Sequence, residues 1–328
     1  MDAKKLPKFS ELPFFEKTGE RYAWGVWGKD DEIGMVNLLT PERVKHAASL
    51  VKKGNVFNLE PSRGIPDPGR SSQPLEFQHH INISRTGRSD YVDHWPLHGT
   101  MGHLDGLRHH RYREYGYYGG RQEEDLDRDV SIGIEKWAQH GLVGRGILID
   151  VAHHFEKLGQ PLAPNKRFYI GPKLMEDIAK EEKITFQSGD IMLLRTGFMG
   201  WYLSMTPKER EITDRTLPGR ENALDCPVLD RFQTTAAWLW DHQIVAIWAD
   251  NGALESNTLE GSDPALEGTG SNHRRMLALF GMGIGERFTF EELSKDCAKD
   301  GVYEFMVTAK PVNIPGAVGS PAHAYAIK

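Results

Sequence analysis

The chain has 328 residues, of which 39% are hydrophobic, 10% aromatic and 26% charged, a make-up that permits a sizeable core and excludes a disordered or fibrous protein. A formal net charge of −6 offers no global attraction to nucleic acid or to an anionic membrane. Two cysteines, Cys226 and Cys297, exclude a disulfide framework, and since neither lies in a Cys-x-x-Cys pair both are expected as reduced core thiols.

The opening stretch MDAKKLPKFSELPFF lacks the apolar core of a secretory signal, and no run approaches the roughly 18 apolar residues a membrane span requires, so a cytoplasmic location is expected. Residues 40–52, TPERVKHAASLVK, begin with a Thr N-cap and a Pro at the first helical position and close on Lys53-Gly54, which predicts a helix. NVFNLE then reads as a strand. Residues 146–152 (GILIDVA) and 190–195 (DIMLLR) are short apolar runs bounded by turn residues, the pattern of buried strands, with helical spacing between them in GPKLMEDIAKEE.

Residues 231–242, RFQTTAAWLWDH, predict a helix leading into the apolar strand IVAIWAD. SNHRRMLALFGMGIGE follows as helix, glycine-rich turn and strand, and FEELSKDCAKDG as a helix with an acidic first turn and a terminal Gly. YEFMVTAKPVNI alternates like a strand. Interleaved strands and helices, no low-complexity linker and no fixed-period repeat predict an α/β fold over residues 1–328 without an internal boundary.

The densest chemistry lies in HGTMGHLDGLRHH, where His94, His98, His103, His109 and His110 crowd together. In an extended segment His103 and Asp105, two apart, project to one side, and Gly106 allows a turn that brings His109 back toward them. Imidazole nitrogen with carboxylate oxygen suits Zn²⁺ or Mn²⁺. The bland alternative is a polar surface loop, with RHHRYR as a solvated patch, because His-x-Asp is far less specific than His-Glu-x-x-His. His98 stands five residues before His103, the wrong parity for one strand face unless Gly99 and Gly102 absorb the mismatch. No Gly-x-Ser-x-Gly elbow and no Gly-x-x-x-x-Gly-Lys-Ser/Thr phosphate loop are present, and GMGIGE lacks the dinucleotide spacing, which disfavours serine hydrolases and nucleotide enzymes.

GHLDGLRH resembles the His-x-Asp-x-Pro-x-His part of the signature of the cyclase family of metal-dependent hydrolases, which includes kynurenine formamidases, isatin hydrolases and trans-dienelactone hydrolases, with Leu107 in place of proline. GRGILIDVA, SGDIMLLRTGF and VGSPAHAYAI are similar to three further family elements, so the likeness covers most of the chain. NHRRMLALFGMGIGERFTFEEL resembles the late segment that supplies a histidine and a glutamate, positions that fall on His273 and Glu286. WGKDDEIGMVNLLTPERV is similar to the opening of a longer subgroup, where a tryptophan lines the substrate pocket, here Trp24 or Trp27.

The resemblance implies a swivelling β/β/α fold, a mixed central sheet or barrel flanked by helices, as one domain with an N-terminal extension of about 40 residues. It implies one or two Zn²⁺ or Mn²⁺ ions on His103, Asp105, His273 and Glu286, with Asp105 bridging if two bind and His109 as ligand or acid/base. The family's first ligand lies four residues before the central histidine, where this chain has Gly99; either His98 reaches the metal instead, or one ion is lost. The implied activity is hydrolysis of a carbonyl–heteroatom bond in a small cyclic or aromatic amide, imide or lactone, by a homodimer or homotetramer. A non-catalytic metal- or ligand-binding protein and a ring-closing cyclase are the alternatives. Asp250 and Glu255, just after a predicted strand, either orient ligand imidazoles or merely close a turn. Tyr115, Tyr117 and Tyr118 either wall a pocket or pack.

Overall fold

A computed structural model describes residues 6–62, 78–93, 95–98, 102–216, 226–255 and 270–328. The strands are β1 (Val56–Asn58), β2 (Gln78–Ile83), β3 (Arg88–Asp93), β4 (His103–Asp105), β5 (Leu142–Asp150), β6 (Phe168–Ile170), β7 (Ile191–Arg195), β8 (Pro227–Leu229), β9 (Ala246–Ala249), β10 (Gly283–Glu286), β11 (Glu304–Ala309), β12 (Gly319–Pro321) and β13 (Ala324–Ile327). The helices are α1 (Pro41–Ser49), α2 (Glu123–Asp129), α3 (Glu135–His140), α4 (Val151–Lys157), α5 (Pro172–Glu181), α6 (Phe198–Ser204), α7 (Pro207–Thr216), α8 (Gln233–Asp241) and α9 (Glu291–Asp300).

Nine strands form one mixed sheet in the order β1-β13-β11-β5-β7-β9-β10-β4-β12. Its centre, β5 to β10, is parallel, and the strands on both flanks are antiparallel. Ile147–Ile149, Ile191–Leu194 and Ile247–Ala249 are fully buried, as expected of parallel strands covered on both faces. The predicted strand at 146–152 in fact runs from Leu142 and stops at Asp150. There the Asp150 carboxylate accepts the His153 N–H at 2.9 Å and caps α4, so Val151 and Ala152 belong to the helix.

The helix predicted at 40–52 begins as expected, with Thr40 capping and Pro41 at the first position, but ends at Ser49. Glu291 and Glu292 open α9, and Gly301, in the left-handed region at φ 70°, closes it. The N-terminal segment is not loose: Leu6, Phe9, Leu12, Met35 and Val36 are buried in the same core as the sheet. The buried Arg275 guanidinium grips Glu20 from inside that core, with Nε 2.9 Å from Oε2. Both cysteines are buried and unbridged, and burial pushes each thiol up to about 12.

The hairpin of β2 and β3 was not foreseen, since QHHINI shows no alternation toward a core; it forms a separate two-stranded sheet, with Ile81, Ile83 and Tyr91 exposed. Among the described residues no helix is long and apolar enough to cross a membrane. The parallel centre has a simple consequence for chemistry: Asp150, Arg195 and Glu286 end β5, β7 and β10 on one edge of the sheet, with Asp250 just beyond β9. Open α/β sheets bind ligands on that edge.

Candidate metal centre

The centre is built on β4, a three-residue strand held between β10 and β12. Register places Glu286 directly opposite His103, and Ile284 opposite Asp105. Opposed residues of an antiparallel pair share a face and residues two apart share it too, so His103, Asp105 and Glu286 converge. His103 Nε2 lies 3.5 Å from Asp105 Oδ1 and 3.5 Å from Glu286 Oε2. The glycines of GMGIGE serve packing on the other face: a Cβ on Gly283 would meet Trp137 at 3.2 Å, and one on Gly285 would meet Phe288 at 2.6 Å.

His98 reaches the cluster despite its parity, its Nε2 2.9 Å from Asp105 Oδ1. Position 99, where the resemblance puts the first ligand, lies outside the described residues, as does His94. Room for His98 comes from β12, because a Cβ on Gly319 would sit 3.1 Å from the His98 Cβ and 2.7 Å from the Leu104 carbonyl oxygen. That glycine, within the VGSPAHAYAI element, was noted for resemblance alone. Its role follows only from being opposite Asp105 across β4 and β12.

His109 folds back as expected, its N–H donating to the Gly106 carbonyl at 3.0 Å and its ring 3.9 Å from that of His98. Gly106 is needed for a reason other than turning: a Cβ there would be 2.7 Å from the Val318 carbonyl oxygen. His110, within the RHHRYR stretch that could form a solvated patch, also faces inward, with its ring 4.1 Å from His109 and 5.2 Å from His273. Adjacent positions on a strand point apart, so only the turn lets both imidazoles face one place.

His273 immediately precedes a π-helical turn, Arg274–Phe280, a rare geometry frequent at functional sites. Its Nδ1 lies 3.0 Å from Glu255 Oε1, and its Nε2 faces Glu286 Oε1 at 3.2 Å and Asp105 Oδ2 at 3.5 Å. Glu255 therefore does orient an imidazole. Asp250 does not; its carboxylate accepts the Thr196 N–H, the Thr196 hydroxyl and the Gly197 N–H instead.

Charge decides what this arrangement can hold. Burial alone would raise the Asp105 carboxyl, but the imidazoles of His109, His98, His103 and His273 outweigh it and hold it well below the usual range. Burial would likewise raise Glu286, and His103 and His273 draw it down. On His273 burial is overcome by Asp105, Glu255 and Glu286, which raise its pKa well above the ordinary value. His109 is pushed down to about 4 by burial, with His98 and His273 adding and Asp105 opposing, and His110 to about 3 by burial, His273 and His109. Three buried carboxylates, Asp105, Glu255 and Glu286, thus share the site with His109 and His110, which burial keeps neutral near pH 7, a balance that suits added positive charge.

The donor atoms fit a metal ion. Both oxygens of Asp105 are buried and neither meets hydrogen-bond geometry, although imidazole nitrogens approach each. Because Glu255 can only accept, His273 Nδ1 donates to it, so Nε2 is the nitrogen that faces Asp105 and Glu286. Those carboxylates favour a proton on Nε2, which is why the His273 pKa is raised, and a metal ion bound there would displace that proton and meet the same two carboxylates. His98, His103 and Asp105 bring one ligand atom each within 4.8 Å of one another, and so do Asp105, His109 and His273.

The aromatic candidates sit differently. The Trp24 indole N–H donates to the Ala278 carbonyl at 2.7 Å, and its ring packs edge-on against Phe15 and tilted against Tyr22. The Trp27 indole nitrogen is buried without a hydrogen-bond partner. Tyr115 stacks on Phe15 at 3.8 Å, and the Tyr117 and Tyr118 hydroxyls donate to Glu123 and Asp31, so packing and local bonds account for them.

The family model described as "Putative cyclase" matches residues 43–256, more than half of the chain. A crystal structure of a novel cyclase is 29% identical, with 94% of this chain and 99% of that chain covered and a TM-score of 0.76. Isatin hydrolase A from Labrenzia aggregata, bound to benzyl benzoate, is 14% identical over 85% of this chain and 94% of its own, at a TM-score of 0.56. An isatin hydrolase bound to the product analogue thioisatinate is also 14% identical, covering 88% of this chain and 97% of its own, at a TM-score of 0.57; at such identity these two share the fold. No curated protein matches.

Proposed function

This chain belongs to the cyclase family, and from that premise we propose that it is a metal-dependent hydrolase acting on a small cyclic or aromatic amide, imide or lactone. The observation that carries the reading is Asp105, whose two buried oxygens lack hydrogen bonds while three imidazoles face them. His98, His103 and Asp105 would hold one Zn²⁺ or Mn²⁺, and Asp105, His273 and Glu286 a second. When bound, such an ion polarises a carbonyl and lowers the pKa of water toward about 7.

The chain's own groups do the rest. His109 is neutral near pH 7 and can take a proton from the water that attacks the carbonyl. As a strong conjugate acid, it then gives that proton readily to the leaving nitrogen or oxygen. Glu255 fixes the His273 tautomer, and Trp27, with its unspent indole N–H, is assigned to substrate ahead of Trp24. His110 closes the cluster beside His109.

We further propose a single domain, supported by the burial of the N-terminal segment in the core of the sheet, and a cytoplasmic location, in keeping with two unbridged buried thiols. A homodimer or homotetramer is supported by the β2–β3 hairpin. Ile83 on that hairpin is 73% exposed, and two-stranded hairpins are marginal without packing, so light scattering should return at least twice the mass of one chain.

The test of activity combines elemental analysis with a screen of formyl-anilines, isatins, lactones and cyclic imides, with and without added Zn²⁺ or Mn²⁺. His103→Ala and Asp105→Ala should lose both metal and turnover. Turnover that survives chelation would refute the scheme.

A further inference from the structure

A cavity of about 320 Å³ opens at the C-terminal ends of β5 and β7, and none of the imidazoles of the candidate centre lines it. Strand β7 ends on Arg195, and Thr196 and Gly197 turn the chain into α6, with Gly197 in the left-handed region at φ 84°. The floor of the cavity is rigid. The buried Asp250 carboxylate binds the Thr196 N–H at 2.6 Å, the Thr196 hydroxyl at 2.7 Å and the Gly197 N–H at 2.8 Å. The Arg195 guanidinium donates through Nη1 to Asp150 Oδ1 at 2.9 Å.

Glu291, on the first turn of α9, is brought against α6 by a glycine: a Cβ on Gly200 would sit 2.5 Å from its Oε1. That oxygen and Arg195 Nε are 3.5 Å apart, both are buried, and neither has a hydrogen-bond partner. The two form an ion pair but no hydrogen bond, so the Arg195 Nε–H and Glu291 Oε1 each keep a hydrogen-bonding valence that a ligand could fill. Arg195 is outnumbered by Asp150, Asp250, Glu291 and the cavity-lining Glu156, so an anion is disfavoured and a positively charged group is favoured. A guanidinium this close argues against a metal ion. Trp201, Leu162 and Pro164 supply the apolar wall, and an indole face also suits a cation.

We propose that this cavity is a second small-molecule site that takes a primary amine with a hydrogen-bond acceptor on the adjacent carbon, the N–C–C–O unit of amino alcohols and amino acids. The ammonium donates to Glu291 Oε1, the neighbouring oxygen accepts from Arg195 Nε–H, and the apolar remainder lies on Trp201. The proposal is independent of hydrolysis at the imidazole cluster.

Isothermal titration calorimetry of the full chain with phenylalaninol, phenylalanine and phenyllactate tests it. Phenylalaninol should bind saturably and phenyllactate, which lacks the amine, at least tenfold more weakly. Phenylalanine binding as tightly as phenylalaninol identifies amino acids as the ligand, and weaker binding identifies amino alcohols. Glu291→Gln and Trp201→Ala, each checked for native thermal unfolding, should each weaken phenylalaninol tenfold or more, and either variant suffices if the other fails to fold. His103→Ala should leave the affinity unchanged. The proposal is overturned if neither amine binds saturably, if phenyllactate binds as well as phenylalaninol, if folded variants keep the parent affinity, or if His103→Ala abolishes binding and so places the amine at the imidazoles.

Discussion

Glu255→Gln removes one charge from the candidate centre while keeping the side chain's shape. Glu255 is 3% exposed and accepts from the Ser271 hydroxyl at 2.7 Å, the His273 N–H at 3.2 Å, His273 Nδ1 at 3.0 Å and the Asn272 N–H. A glutamine offers one accepting oxygen and turns an NH₂ toward the remaining donors. His273 then loses the partner that fixes its tautomer, and Nε2 can carry the proton toward Asp105 and Glu286 in place of a metal. Loss of an outer partner to a ligand histidine weakens metal binding about 10- to 100-fold, which corresponds to about 1.4–2.7 kcal/mol. Unpairing buried donors costs the metal-free fold a further ~1–3 kcal/mol. Competition for Zn²⁺ with a chromophoric chelator measures the first effect, and thermal unfolding of the metal-free protein the second. A folded variant whose Zn²⁺ affinity matches the parent's within twofold would refute the assignment of Glu255 as the residue that orients His273.

Gly319→Ala should displace His98 and strain β12, costing about 1–3 kcal/mol by overpacking and lowering the metal bound per chain; elemental analysis of the purified variant checks it. Glu182, buried near Asp150 and Glu181, has its carboxyl pushed up to about 9 by burial and those charges. Its folded pKa exceeds the unfolded value near 4.5, so the folded state holds the proton more tightly and stability falls as pH rises between the two. Glu182→Gln should therefore raise the Tm at pH 8 and change it little at pH 5, with a gain of up to about 3 kcal/mol between pH 6 and 8; equal shifts at both pH values would contradict this. Glu20→Ala leaves the buried Arg275 charge unpaired and should cost about 3–5 kcal/mol in urea unfolding, with the N-terminal segment becoming sensitive to protease.

Some of this was legible from residue order. Thr40-Pro41 marks the start of α1, and the apolar runs at β5, β7 and β9 mark strands covered on both faces. The two-residue spacing of His103 and Asp105 puts them on one side of β4. These depend on neighbours in sequence, whose geometry is set by backbone period. The end of β5 was misplaced because Asp150 stops the strand by capping α4, a competition between side chain and ladder that an apolar pattern does not record. The place of His110 was missed because a turn, and not a strand, carries it.

The order of residues by itself determined the α/β class, the buried parallel strands and the concentration of imidazole and carboxylate around positions 98–110. Tertiary structure alone decided that Glu286 stands opposite His103, that Gly319 clears the space His98 occupies, and that Glu255 and not Asp250 holds His273. The physical reason is that strand register and close backbone approach join residues far apart along the chain, and a periodicity read over a few residues carries no information about which strand lies beside which.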